Sequence, residues 1–458
     1  MSSTPPLAPN HEHRPIDRLL WPVQRFLRVE ASAGILLLLA TAAALVWANG
    51  PAGEGYDHFW HTPVSVGWGT HVLTMSLAHF VNDGLMAIFF FVVGLEIKRE
   101  LLVGELASFR QASVPIAAAV GGMVAPALIY VAFNAGGEGT RGWAIPTATD
   151  IAFAVGVLAM LGRRVPLSLK VFLTALAIVD DIGAVLVIAI FYTSDLSLTA
   201  LGAAGGFIVL SYAANRAGVR TPIFYACVGI LLWLMLLQSG VHATIAGVLL
   251  ALTIPVRMRI RGTEFVSVAR RAIETFEEAG GNVDDTFTSP QRQRAVRGLE
   301  EACEGVLTPL NRLEHELHPW VAFLIMPIFA LANAGVTIGG GTGSAAASPI
   351  ALGVALGLIL GKPIGVMVAA WIAVKIGLGE LPRGSSWRQV LGASCLAGIG
   401  FTMSLFIANL AFREGDALLP LAKVGILGGS LISGVVGAAI LLTAARPKPP
   451  VDDPGGPA

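Results

Sequence analysis

The amino-acid sequence predicts an all-α polytopic membrane protein of twelve transmembrane helices, built from inverted repeats that each contain an interrupted helix. Composition is the first reason: of the 458 residues, 55% are hydrophobic and 13% are charged, whereas soluble globular proteins carry about 25% charged residues. Apolar segments of membrane-spanning length also recur along the whole chain. Finally, charged and helix-breaking residues lie inside a few of these segments, which is typical of secondary transporters.

Twelve segments are long and apolar enough for a helix to cross a bilayer. The first segment is longer than the apolar core of a signal peptide, so we expect it to remain as an uncleaved span. Because twelve is an even number, both termini should lie on the same side. The predicted spans lie near residues 31–49, 78–97, 112–133, 142–161, 167–192, 198–214, 221–237, 241–256, 319–338, 349–374, 389–411 and 419–444.

Basic residues indicate which side holds the termini. With the N-terminus inside, the short inside segments carry 19 Lys and Arg residues, whereas the outside loops carry only Arg141 and Arg413. Short cytoplasmic loops are enriched in Lys and Arg. We therefore predict that both termini are cytoplasmic.

One hydrophilic segment, 257–318, is too long for a simple connection. Apolar residues recur with helical spacing over 265–276 and again over 296–317. Residues 280–290 are typical of a flexible loop, and Thr308-Pro309 could restart the second helix. We predict a cytoplasmic helical hairpin packed on the membrane domain; a partner-binding coiled coil is the alternative. The chain then divides into a tail (1–30), spans 1–8 (31–256), this insert (257–318), spans 9–12 (319–444) and a disordered tail (445–458).

Charge and cysteine content exclude several classes of function. The formal net charge is zero, which argues against a nucleic-acid partner. Cys227, Cys303 and Cys395 are isolated in the sequence, so they form neither a disulfide framework nor a cluster of metal ligands.

Two adjacent aspartates, Asp180 and Asp181, lie in the middle of the fifth predicted span. The 13 Leu, Ile, Val and Phe residues over 171–191 favour insertion by about 4 to 8 kcal/mol. The two aspartates oppose it by about 5 to 7 kcal/mol. Because these terms nearly cancel, the pair should face a protein interior or a wet cavity, where carboxylates form a site for cations or protons.

Two spans contain features that interrupt a helix. In the fourth, Pro146 removes a backbone donor, and we expect a break near 147–150. In the eleventh, Gly398 and Gly400 weaken the helix, and Thr402 can support the freed backbone groups. Paired interrupted spans in the two halves of a membrane chain indicate an inverted-repeat transporter.

Two more charged residues lie within spans. Lys362, in the tenth span, requires a negative partner, which could be an aspartate or the C-terminal end of a half-helix. Asp150, beside the predicted break, could compensate the positive N-terminal ends of half-helices. For both residues, a structural offset of charge is the alternative to direct ion binding.

Several polar groups near the ends of spans have less specific patterns. Glu96 and Glu100 lie one helical turn apart and could act as an interfacial anchor or in regulation. Asp83, near the start of a span, could simply face water. His242 could be a quiet polar residue or a pH sensor. His315 and His318 are too few for a zinc site, so titration near neutral pH is the better interpretation.

Taken together, these segments resemble the NhaA-type sodium/proton antiporter family of bacteria. The resembling motifs follow the family's order over nearly the whole chain. They are DGLMA (83–87), VGLEIKREL (93–101), GWAIPTATDIAFA (142–154), AIVDDIGA (177–184), SGVHAT (239–244), LEHELHPWV (313–321), FALANAG (329–335), GKPIG (361–365) and GIGFTMS (398–404).

The resemblance implies a fold in which the interrupted fourth and eleventh spans cross, and a homodimer in the bacterial inner membrane. The dimer would form partly through the first outer loop, where residues 64–72 could make a hairpin. The sequence departs from the compact family pattern at the long insert before Leu313. The resemblance also assigns Na⁺ binding to Asp180 and Asp181, dipole compensation to Asp150 and Lys362, ion-site support to Thr149, and pH response to Glu96, Arg99, Glu100, Glu314, His315 and His318, with His242 as a further candidate.

These observations predict an electrogenic, pH-regulated Na⁺(Li⁺)/H⁺ antiporter that exports Na⁺ by alternating access. It would be a transporter without a cofactor, with Na⁺ and H⁺ as substrates and the bilayer as surroundings. An intramembrane aspartyl protease is one alternative, although its Gly-x-Gly-Asp motif is absent from 178–181 and 148–150. A sodium-coupled solute symporter is the other. Whether Lys362 or Asp180 carries the second proton stays open at this point.

Overall fold

The computed structural model describes residues 31–444, except 69–70, 194–195, 259, 261, 280–288, 338–344, 383 and 413–414. The predicted tails and most of the predicted flexible loop lie outside the described residues. The described part is helical apart from one β-hairpin. Its helices are α1 (Ala31–Asn49), α2 (Gly53–Trp60), α3 (Leu77–Val103), α4 (Phe109–Asn134), α5 (Ile151–Leu161), α6 (Leu167–Phe191), α7 (Leu198–Arg216), α8 (Pro222–Leu237), α9 (Ile245–Thr253), α10 (Gly262–Glu278), α11 (Pro290–Val306), α12 (Pro309–Asn333), α13 (Pro349–Lys375), α14 (Trp387–Ala397), α15 (Phe401–Ala411) and α16 (Leu418–Thr443).

Within the described residues, nine helical segments are long and apolar enough to cross a membrane, and the bent pair α14 and α15 would add a tenth. The prediction of twelve spans is therefore not confirmed. The two remaining segments form short helices, since α8 has 16 residues and α9 has 9. At 1.5 Å per residue these helices extend about 24 and 14 Å, less than the roughly 30 Å of a hydrocarbon core.

Small residues set the distance between the central helices. Gly121 on α4 faces Gly365 on α13, and a Cβ on either glycine would collide with the carbonyl group of the other. Close backbone contact of this kind is typical of membrane helices, where packing replaces the hydrophobic driving force. The glycine pair therefore fixes how α13 presents its side chains to the helices around α4.

In the part of the chain that the structure describes, three π-helical segments interrupt the regular helices, at Phe80–Leu85 in α3, Val321–Ile325 in α12 and Gly357–Gly361 in α13. Single π-helical turns often occur at functional sites because the extra residue re-aims the side chains that follow. The segment in α13 ends directly before Lys362. It sets the direction in which that side chain leaves the helix.

The predicted hairpin in the first loop is present. Strand β1 (Pro63–Trp68) pairs antiparallel with β2 (His71–Ser76), and Gly67 lies opposite Val72. Two side-chain hydroxyls, those of Ser65 and Thr74, also meet across the strands at 2.8 Å.

The insert contains two helices, α10 and α11, which pack on each other. Arg292 on α11 lies over the ring of Phe276 on α10, 5.0 Å from its centroid. The predicted restart is confirmed: the Thr308 hydroxyl accepts from Asn311 N at 3.2 Å, and Pro309 is the first residue of α12. Because α12 continues through the predicted boundary at 318 to Asn333, the insert and the ninth predicted span share one helix.

Candidate functional site

Both predicted helix interruptions are present. A 3₁₀ helix, Glu138–Thr147, contains Pro146, and residues 148–150 separate it from α5. Residues 398–400 separate α14 from α15, whose axes differ by 42°. The fourth predicted span thus begins as a 3₁₀ helix, where an α-helix was expected, and proline accounts for part of the difference because it lacks the backbone donor.

The two interruptions are hydrogen-bonded to each other. Asp150 N donates to Ile399 O at 2.7 Å, and the Thr149 hydroxyl donates to Ala397 O at 2.8 Å. A Cβ on Gly400 would lie 2.9 Å from the carbonyl oxygen of Ala148, so the close approach depends on glycine. Each interruption therefore satisfies backbone groups that the other leaves unpaired, as buried non-helical backbone requires.

Asp150 lies at the N-terminal ends of two helices at once. Its Oδ1 accepts from Phe153 N at 3.0 Å, which makes Asp150 the N-cap of α5. Its Oδ2 accepts from Thr402 N at 3.1 Å and from the Thr402 hydroxyl, at the start of α15. Helix N-termini carry partial positive charge, and this geometry is the one that the predicted compensation of two half-helices requires.

Lys362 is fully buried and has two acceptors. Its Nζ donates to Asp180 Oδ2 and to the carbonyl oxygen of Thr147, the last residue of the 3₁₀ helix. The sequence left open whether an aspartate or a half-helix C-terminus would balance this charge. In the structure Lys362 donates to both kinds of acceptor, because its ammonium group has more than one proton to donate.

Asp180 and Asp181 are each 1% exposed, so the pair faces the protein interior and not lipid. Oδ1 of Asp180 and Oδ1 of Asp181 lack a hydrogen bond of good geometry. Thr149 approaches the Asp180 carboxylate, and the charges of Glu96 and Asp150 act on Asp181. Buried polar atoms without a partner are costly, and such atoms on adjacent carboxyl groups are suited to hold a proton or a small cation.

The electrostatic balance of the site favours uptake of positive charge. Three carboxyl groups, those of Asp150, Asp180 and Asp181, share one buried cation, Lys362. Like charges at short range in a low-dielectric interior disfavour full ionisation. The Thr149 hydroxyl donates to Ala397 O and lies beside the Asp180 carboxylate.

Four of the residues assigned to pH response lie together at the end of α3. Arg99 forms an ion pair with Glu314 on α12, and its Nη2 lies 3.2 Å from Glu100 Oε1. Glu96 lies one turn earlier on α3 and is affected by the charges of all three. A cavity of about 720 Å³ adjoins the cluster and is lined by Arg99, Glu300, Glu314, His315 and His318, among others.

His242 does not join that cluster. It lies between α8 and α9, where the neighbouring charged groups are Asp83 and His79. His79 Nε2 lies 3.0 Å from Asp83 Oδ2, and the Asp83 side chain is 13% exposed. Asp83 is thus paired and mostly buried. Among the described residues, His315 and His318 are joined by no further His, Cys, Asp or Glu in a metal-binding arrangement.

Several groups that meet in the structure had no role assigned from the sequence. The Thr147 carbonyl oxygen could not be recognised as a partner of Lys362, because every residue has one. Three asparagines, Asn82, Asn333 and Asn409, form a chain of amide hydrogen bonds. A sequence signal was available, since each is a polar residue in a predominantly apolar segment, but neutral amides stand out less than charges.

The chain is similar to transport proteins over nearly its whole length. A family model described as Na⁺/H⁺ antiporter 1 matches residues 24–441. The Na⁺/H⁺ antiporter NhaA of Koribacter versatilis is 52% identical over 427 residues, covering 93% of this chain and 92% of that protein. The Na⁺/H⁺ antiporter NhaA of Oleidesulfovibrio alaskensis is 51% identical over 449 residues, covering 96% and 98%. The Na⁺/H⁺ antiporter NhaA 2 of Sorangium cellulosum is 51% identical over 429 residues, covering 93% and 90%.

Proposed function

Because the chain belongs to the Na⁺/H⁺ antiporter 1 family, we propose that it exchanges Na⁺ for H⁺ and binds both ions at Asp180 and Asp181. Family membership and the many apolar helices make it a multi-pass membrane protein. One observation carries the assignment of the site: two adjacent buried carboxyl groups each present an oxygen that has no hydrogen bond of good geometry, although Thr149 approaches the Asp180 carboxylate.

The proposed exchange is a competition for the same oxygens. A sodium ion binds to carboxylate oxygens, with the Thr149 hydroxyl as a supporting ligand, and requires both aspartates to be ionised. Protonation removes the charge that holds the ion. Because burial and like charge both disfavour two adjacent carboxylates, the empty site takes up protons and releases them only when the cation replaces them.

Lys362 enters this competition through Asp180. The ammonium group already occupies Asp180 Oδ2, so an arriving Na⁺ must share or displace it. Displacement would leave Lys362 in a buried position with Thr147 O as its remaining acceptor, which favours loss of its proton. The second proton of the cycle is then carried either by Lys362 or by Asp180, and the direct contact supports Lys362.

Two protons for one sodium ion would make the cycle electrogenic. Each turn would move one net positive charge inward, so the membrane potential could drive Na⁺ export. Li⁺ should be carried as well because it is also a small, hard cation, and K⁺ should be carried poorly. In this proposal Na⁺, Li⁺ and H⁺ are substrates and no cofactor takes part.

The paired interruptions support alternating access. We propose that the interrupted spans cross at their contact, so that the site can open to either face while its backbone groups stay paired. The charge pattern of the loops supports a cytoplasmic location for both termini, and the bacterial origin of the relatives supports the inner membrane as the location. The hairpin β1–β2 is the proposed contact of a homodimer.

A second proposed property is regulation by pH through the residues around Arg99. Charged contacts around Arg99 join α3 to α12, and they involve Glu96, Glu100 and Glu314. The adjoining cavity is lined by His315 and His318, among others. A change of protonation there would change how these helices hold together. His242, at a separate location, is a weaker candidate.

The test is proton movement in reconstituted vesicles, followed with a fluorescent pH-gradient probe while Na⁺, Li⁺ or K⁺ is added at several pH values. Asp181→Asn should reduce Na⁺-dependent signals tenfold or more while the protein remains monodisperse. Asp57→Asn makes the same change at an exposed aspartate of α2 and should leave exchange unchanged. Exchange at the original rate in Asp181→Asn would refute the proposed site.

A further inference from the structure

Two layers of side chains lie between α15 and the helices α3 and α12. Each helix contributes one phenylalanine and one asparagine, and the two residues are three to eight positions apart on their helix. The aromatic layer consists of Phe90, Phe329 and Phe406, and the amide layer consists of Asn82, Asn333 and Asn409.

The aromatic layer is fully buried. Phe406 on α15 packs against Phe90 at 5.3 Å and Phe329 at 6.4 Å between ring centroids. All three rings are at most 1% exposed. Aromatic contacts of this kind bury large area in fixed geometry, and a hydrated ion cannot pass between them while they touch.

The amide layer is fully bonded at its centre. Asn333 Nδ2 donates to Asn82 Oδ1 at 2.8 Å and to Phe329 O at 2.9 Å. Asn333 Oδ1 accepts from Asn409 Nδ2 at 2.6 Å. Asn333 is 3% exposed, so separating it from a neighbour would leave buried polar groups unpaired unless water replaced the neighbour.

These layers lie along α15, beyond its contact with Asp150. Thr402, Phe406 and Asn409 follow one another at i, i+4 and i+7, and therefore share a face of α15. Thr402 is hydrogen-bonded to Asp150, whereas Asn409 lies about 10 Å further along the helix axis. By the charge pattern of the loops, that direction leads outward.

The three helices fall into two groups. α3 and α12 are joined twice, by Asn82–Asn333 at one end and by Arg99–Glu314 at the other. α15 is joined to the interrupted fourth span, which adjoins the ion site through Thr149, by Thr402–Asp150 and by the Ser404 hydroxyl, which donates to Ile145 O at 2.7 Å. Motion of the site relative to α3 and α12 would therefore separate Asn409 from Asn333 and Phe406 from its two neighbours.

We propose that these two layers are the outer gate of the transporter, closed in this structure by the aromatic contacts and latched by the Asn333–Asn409 hydrogen bond. The inference depends on the proposed exchange function, because a gate has meaning only for a site that opens to both faces. It adds that the ion leaves outward between α15 and the pair α3–α12.

Two disulfides within the same amide chain test this proposal. The background is a cysteine-free chain with Cys227→Ser, Cys303→Ser and Cys395→Ala. In that background, the first variant carries Asn333→Cys with Asn409→Cys. The second variant carries Asn82→Cys with Asn333→Cys. Oxidation of the first should reduce Na⁺/H⁺ exchange tenfold or more, and reduction should restore it. Oxidation of the second links helices of one group, so its exchange should stay at the rate of the same variant before oxidation. Full exchange with the 333–409 bridge formed would overturn the proposal.

A labelling measurement keeps the gate testable if the cysteine pairs are inactive. Leu405, one turn inward from Asn409, is fully buried, and Leu405→Cys provides a thiol behind the latch. An impermeant thiol reagent added outside should label it at least threefold faster in Asn409→Leu, with no change in Asn134→Leu. Asn134 is the matched control because its amide bonds to Tyr130 O and Pro349 O, away from α15. Unchanged labelling would refute the gate, whereas absent exchange in the unbridged parent would refute the proposed function.

Discussion

Lys362 and Asp180 form an ion pair in which both side chains are completely buried, and this pair joins α13 to α6. Removing one member of a buried pair leaves an uncompensated charge, whereas removing both leaves none. The pair therefore couples the stability of the bundle to the ion site.

The first prediction concerns this coupling. Lys362→Met should lower the free energy of unfolding by about 3 to 5 kcal/mol, since Asp180 loses its cation. Adding Asp180→Asn to that variant should recover most of the loss. Thermal unfolding in detergent measures both effects. Lys375→Met is the control, because Lys375 is exposed at the end of α13 and contacts the Trp371 ring. A double variant no more stable than Lys362→Met would contradict the account.

The charged part of the site could be predicted from the sequence because charge in a membrane span is costly. Asp180, Asp181, Asp150 and Lys362 are each conspicuous in apolar surroundings. The interruptions could also be predicted from the sequence, because Pro146 and the glycines at 398 and 400 act on the local backbone.

The kinds of partner could be predicted, but the specific residues that meet these charges could not, because they depend on helix rotation and separation. Which acceptor meets Lys362 is determined by the Gly121–Gly365 contact and by the π-helical turn before Lys362. Neither follows from local composition. The twelve-span count is not confirmed for a related reason: the apolar segments at 221–237 and 241–256 form helices of 16 and 9 residues, and hydropathy does not reveal how much of an apolar segment is helical.

The second prediction concerns the contact between the interruptions. Thr402→Val removes the hydroxyl that donates to Asp150 while retaining the shape of the side chain. Loss of one charge-assisted hydrogen bond costs about 1.5 to 3 kcal/mol, and we expect the Na⁺ concentration for half-maximal exchange to rise several-fold. Vesicle assays over a range of Na⁺ concentrations measure this. Thr41→Val, which loses only a bond within its own helix, should behave as the parent does.

The third prediction concerns the cluster around Arg99. Glu314→Gln removes one negative charge and frees Arg99 to act on Glu96 and Glu100. Fewer negative charges then oppose proton loss from the cluster, so the midpoint of the pH–activity curve should move to lower pH. The shift should exceed that of Glu316→Gln, which breaks an exposed pair with Arg312 on the same helix. Equal shifts in the two variants would remove the cluster from pH control.

The fourth prediction concerns the loop helix α2 and has a pH dependence of its own. The Tyr56 hydroxyl donates to the carbonyl oxygens at the end of α12, 2.8 Å from Leu331 O and 2.9 Å from Ala332 O, and accepts from Gly335 N. Burial is the main reason that the pKa of Tyr56 is raised, to about 12 from 10.0.

A raised pKa means that the folded protein keeps this proton when the unfolded chain has lost it, so stability falls as pH rises from about 10 to 12. Below that range Tyr56→Phe should destabilise by about 1 kcal/mol, the value of a typical hydrogen bond. Between pH 10 and 12 the parent should lose more stability than the variant, which has no phenol to ionise, so their difference should shrink. Unfolding temperatures across this range test the sign. Tyr212→Phe, at a side chain 55% exposed, should show neither effect. If the stability difference between the parent and Tyr56→Phe instead grows with pH, Tyr56 is not held in its neutral form.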